Sequence, residues 1–172
     1  MIAIGAKTLF YQVHQSSLQK LTNMNGELSA SQPSAEYFIR SFCGVNTVGT
    51  PLSINGANGS IAIDIGFSDT AETGNEYCLA DGNARNPLLS VVGYGRNTGT
   101  VGEIINNYLN VRNNGSSNVI VKEVGYYGNP TSGGSSDGSN SILFARKVLD
   151  TPVTIAPGET YNFTYVLKFK NT

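Results

Sequence analysis

Between Thr160 and Lys170 the chain reads TYNFTYVLKFK, and its apolar residues, Val166 alone excepted, fall on every second position. Tyr161, Phe163, Tyr165, Leu167 and Phe169 share one side, while Asn162, Thr164, Lys168 and Lys170 share the other. Successive side chains of an extended strand point to opposite faces, so this spacing predicts an antiparallel strand with one buried face. A helix would scatter the same five residues around its axis.

The alternation recurs. Ile61, Ile63, Ile65 and Phe67 form one series, and Ile105, Leu109 and Val111 lie opposite Asn106, Tyr108, Asn110 and Arg112 in another. The stretch Val119–Tyr127 (VIVKEVGYY) is β-branched and aromatic, and Tyr37–Cys43, Leu88–Tyr94, Ile142–Val148 and Val153–Ile155 are further strand candidates. Asn113–Asn118 (NNGSSN) reads as a hairpin connection, and Ala156–Glu159 as the turn into the last strand, because Asn, Gly and Ser tolerate turn conformations. Short strands with polar turns predict an all-β fold, an antiparallel β-sandwich or jelly roll. Pro152 and Pro157 bracket Val153–Ile155, which suits an edge strand where a missing N–H is harmless.

Two segments stand apart. Residues 1–35 are expected to form an N-terminal arm or short helix for attachment or oligomerisation. Within them Leu9, Phe10, Val13, Leu18, Leu21 and Met24 fall near helical spacing, with Gly26 as a stop. This element packs either on its own sandwich or on a neighbouring subunit. Residues 36–172 are the expected sandwich domain, carrying a Gly/Ser-rich solvated loop at Asn129–Ser141 (NPTSGGSSDGSNS).

Composition bounds the function. Gly, Asn, Ser and Thr make up 70 of the 172 residues, yet 40% of the chain is hydrophobic, enough to build a core and to set it apart from a disordered chain. Eleven basic residues against twelve acidic ones, with no basic block, argue against nucleic acid as a partner. No apolar run approaches the length of a membrane-spanning helix, and MIAIGAKTLFYQVHQ lacks the look of a signal peptide, so synthesis in a cytoplasm is expected.

Chemical motifs are sparse. Gly134–Gly138 matches G-x-S-x-G, but its flanks offer neither the buried strand nor the helix that a nucleophilic serine needs. His14 is the lone histidine, and Cys43 and Cys78 lack metal or redox spacing. Asp64, Asp69, Glu72, Glu76 and Asp81 cluster in sequence without a calcium-loop pattern. The expectation is therefore no catalytic residue, no cofactor and no metal. Glu123 and Arg146, opposite charges in otherwise apolar strands, are expected to pair and fix register. Tyr94, Tyr126 and Tyr127 are the candidates for contact with a glycan or partner, since exposed tyrosines on Gly/Asn-rich loops stack on sugar rings. The competing reading puts them in the core or a subunit interface.

Four landmarks then follow in order: IDIGFSDTAETGNEYCLAD with Glu76-Tyr77-Cys78-Leu79; IINNYLNVRNNG; Val121-Lys122-Glu123-Val124-Gly125; and ILFARKVLDTPVTIAPGETYNFTYVLKF with Ala145-Arg146, Thr151-Pro152-Val153 and Pro157-Gly158-Glu159-Thr160. Over about residues 61–170 the chain resembles a family of bacteriophage virion structural proteins, small β-rich domains attached to the head or tail. The Asn129–Ser141 insert stretches the family's central spacing, and residues 1–35 fall outside the resemblance. The resemblance implies a non-enzymatic virion protein, made and assembled in the host cytoplasm. It would sit in several copies on the capsid, collar or tail, as a decoration, head-fibre or accessory component. Expected partners are other virion proteins and further copies of the chain, a trimer being one such form. The alternative is a receptor- or glycan-binding module at a tail or fibre tip.

Overall fold

The computed structural model describes residues 54–55, 63–73, 78–80, 86–97, 103–128 and 142–168. The expectations for residues 8–24, His14, Tyr37–Cys43 and Asn129–Ser141 lie outside these residues. Every described element is a strand: β1 (Ile54–Asn55), β2 (Ile63–Gly66), β3 (Asn86–Asn97), β4 (Glu103–Asn113), β5 (Val119–Gly128), β6 (Ile142–Ile155) and β7 (Thr160–Lys168).

They form two sheets, one of order β1-β3-β4-β7 and one of order β2-β5-β6. All pairings are antiparallel except the short contact of β1 with β3. The sheets share one core. Ile63 and Ile65 of β2, Val121 and Tyr126 of β5 and Phe144 of β6 pack with Leu109 and Val111 of β4 and Phe163 of β7. Tyr126 stacks on Tyr165 across the interface, ring centroids 4.8 Å apart. This is the arrangement of a β-sandwich, and burial of each such side chain contributes about 1.5–3 kcal/mol. In β7, Phe163 is buried and Tyr165 half-buried, while Asn162 and Thr164 are exposed, as the period of two requires.

The Asn113–Asn118 segment corrects the hairpin expectation. β4 and β5 belong to different sheets, so the segment is an arch from one layer to the other. Ala156–Glu159 carries β6 into β7 across the same gap, and the two arches lie side by side. Asn113 joins them. Its backbone N–H donates to the Glu159 carbonyl at 3.0 Å, and its carbonyl accepts from Gly158 N–H at 2.8 Å. Its buried side-chain amide donates to the Ser117 and Ile155 carbonyls at 2.8 and 2.9 Å and accepts from Gly115 N–H at 2.9 Å. A hairpin needs only its own turn bonds; this side chain is instead satisfied by two separate connections.

The two candidate strands Ile142–Val148 and Val153–Ile155 belong to one strand, β6, whose pairing with β5 lapses between them. Glu123 pairs with Val148 and Val121 with Val153, which leaves Leu149–Pro152 out of register. Pro152 therefore sits where no ladder bond is asked of it, on a strand paired with β5 alone among the described strands.

Candidate functional site

Across the break in β5–β6 register between Val121 and Glu123, the residues of β5 that face the core change from odd to even positions. Val119 and Val121 point between the sheets before it, and Tyr126 does so after it. Glu123, Gly125 and Tyr127 consequently turn to the outer face of the three-stranded sheet. They are still buried, because residues Phe67–Thr73 and Cys78–Ala80 run over that face as a strap.

Glu123 and Arg146 meet beneath the strap, Arg146 Nε donating to Glu123 Oε2 at 2.5 Å, with both side chains excluded from solvent. Glu123 also accepts from Ala80 N–H at 3.0 Å, and Arg146 Nη2 donates to the Thr70 carbonyl at 2.7 Å. The pair thus holds both described ends of the strap as well as two neighbouring strands. Gly66 makes room for it: a Cβ there would collide with the Glu123 carboxylate. Leu79 N–H donates to Tyr127 Oη at 3.0 Å, and Leu79 packs with Tyr127 and Leu143 in a second small core. Burial pushes the Tyr127 hydroxyl well above the ordinary tyrosine range.

Tyr126 and Tyr127 are therefore not surface contacts. Tyr126 is 0% and Tyr127 3% exposed, because adjacent residues face opposite sides of a sheet that is covered on both. Tyr94 lies half-buried against the main core, opposite Leu109.

The described members of the acidic stretch, Asp64, Asp69 and Glu72, each meet a different partner. Asp64 is buried and accepts from Ile65 N–H, and Asp69 pairs with Lys122 at 3.0 Å. Glu72 accepts from Val148 N–H at 2.7 Å on the open edge of β6. Burial works to raise the Glu72 pKa, and the Val148 hydrogen bond works to lower it. Among the described residues no group of three His, Cys, Asp or Glu is placed to hold a metal ion.

The remaining feature is a cleft of about 440 Å³ on the flank where β6 and β7, the edges of their sheets, run together. Val124, Leu149 and Val153 line one wall, and Tyr161, Phe163 and Tyr165 the other. Tyr161 and Val166 are 40% and 39% exposed beside it. Lys147 stands at the rim, 3.0 Å from Asp150 and 4.0 Å from Glu72. The lining runs through consecutive residues from Tyr161 to Val166, so the cleft follows the outer edge of β7 itself. Such an edge offers unpaired backbone donors and acceptors beside apolar side chains, the two things an added strand or a neighbouring chain uses. Nothing in the sequence pattern pointed to this cleft, since it arises from which strands end up at the edges.

No protein-family model matches the chain, and no curated protein or solved structure is significantly similar to it.

Proposed function

We propose that the protein is a non-enzymatic structural component of a bacteriophage virion. It is assembled in the host cytoplasm and carried in several copies on the capsid, collar or tail, in contact with other virion proteins and with further copies of itself. The observation that carries this reading is the apolar cleft between the edge strands β6 and β7, flanked by exposed Tyr161 and Val166. An edge of this kind in a soluble monomer is usually shielded by charge, and here Lys147, the cation among the described lining residues, is already engaged with Asp150. The ordered landmarks from Ile63 to Phe169 support the same reading. So does the low charge: 13% of residues against about 25% in an average globular chain leaves little repulsion between neighbouring copies. The buried charges Glu123 and Arg146 are both engaged in holding the strap. Completion of the sandwich to a jelly roll belongs to the same proposal.

Mass spectrometry of gradient-purified phage particles, from a lysate in which the gene is expressed, tests it. The chain is expected at a copy number matching a particle symmetry. Its absence from particles whose capsid and tail proteins are recovered in full would refute the proposal.

A further inference from the structure

The outer face of the four-stranded sheet carries a second arrangement, which adjoins the cleft and shares Asn162 and Thr164 with its lining. Two cross-strand rows lie next to each other: Gly93, Asn110 and Asn162 in one, Gly95, Tyr108 and Thr164 in the other. Neighbouring strands are about 4.8 Å apart and alternate residues about 7 Å, so the four side chains form a patch the size of a single sugar ring.

The glycines shape it. A Cβ on Gly95 would stand 2.6 Å from Tyr108 Oη and 2.8 Å from its Cζ, so the ring rests directly on the glycine backbone. That packing holds the aromatic group low across the sheet, half-exposed, where any larger residue would lift it away. Beside it runs a directed chain of hydrogen bonds. Thr164 Oγ1 donates to Asn162 Oδ1 at 2.8 Å, and Asn162 Nδ2 donates to Asn110 Oδ1. Asn110 Nδ2 ends the chain over Gly93 with no protein acceptor among the described residues. The amides are thus pre-oriented, with donors left over for a ligand.

The chemistry is that of a neutral polyol. Apart from the tyrosine phenol, the patch holds no ionisable side chain; Arg112 lies in the next row, opposite Thr160. An anion or a basic peptide would find no charged partner within it. A hexose offers C–H groups to an aromatic ring and hydroxyls that both donate and accept to amides and a threonine. We infer that this face, centred on Tyr108 with Asn110, Asn162 and Thr164, binds a neutral glycan.

The test is an array of neutral gluco-, manno- and galacto-oligosaccharides with sialylated and sulfated counterparts, probed with the full chain. Retention on at least one neutral series is expected. Tyr108→Ala should weaken it by about tenfold or more, the effect of one aromatic contact, while Tyr108→Phe keeps it. Asn162→Asp, an exposed change that does not disturb the core, should weaken it as well, so the claim does not depend on Tyr108→Ala folding. No retention on any neutral glycan overturns the inference, as does binding confined to charged glycans or unchanged by Asn162→Asp and Tyr108→Ala. Loss of self-association in Asn162→Asp without glycan binding would assign the face to a contact between copies, and would equally overturn it.

Discussion

Glu123 and Arg146 show what a buried charge does in a chain with few charges. Each is excluded from water, and each also bonds the strap: Glu123 accepts from Ala80 N–H and Arg146 donates to the Thr70 carbonyl. Replacing Glu123 with Ala removes the buried carboxylate to which the Arg146 guanidinium donates, and stability should fall by about 3–5 kcal/mol. A denaturant titration checks this, and an unchanged unfolding midpoint would contradict it. That these two residues deserve attention together was legible in the sequence, because opposite charges interrupted apolar strands. Their partners were not. Thr70 and Ala80 contribute backbone atoms, which leave no trace in residue identity. Tyr126 and Tyr127 could be read from the sequence either as surface contacts or as core residues, and they are buried because both faces of their sheet are covered.

At the level of elements, alternation located the strands well, and even the break in β6 pairing from Leu149 to Pro152 matched a gap between two apolar runs. Pairing partners were another matter. NNGSSN has the composition of a hairpin turn, and composition does not distinguish a turn that returns within a sheet from an arch that crosses between sheets. The deciding group is the Asn113 side chain, which reaches Ile155 in the second layer. Asn113→Ala would strand the Ser117 and Ile155 carbonyls and the Gly115 N–H, and should cost about 2–4 kcal/mol. Thermal and chemical unfolding of this variant measure the loss. A variant as stable as the parent would mean that the two arches do not depend on each other. The outer-face patch around Tyr108 was half visible: Asn106, Tyr108, Asn110 and Arg112 were readable as one face of β4. Their neighbours on β3 and β7 depend on register, which local alternation leaves open.

For the whole molecule, the two layers leave one flank on which the edge strands β6 and β7 run beside an apolar cleft. Under the proposed function that flank is the contact between copies in a particle, and the low charge and the abundance of short polar residues belong to a surface that meets neighbours. Sedimentation velocity of the full chain, compared with Tyr161→Lys and with Tyr161→Lys/Val166→Lys, tests this most directly, since both positions are exposed and tolerate charge in an isolated molecule. The parent should sediment as a discrete oligomer and the double variant as a monomer with a nearly unchanged melting temperature. A parent that stays monomeric at every concentration, or a double variant that sediments like the parent, would contradict the assignment.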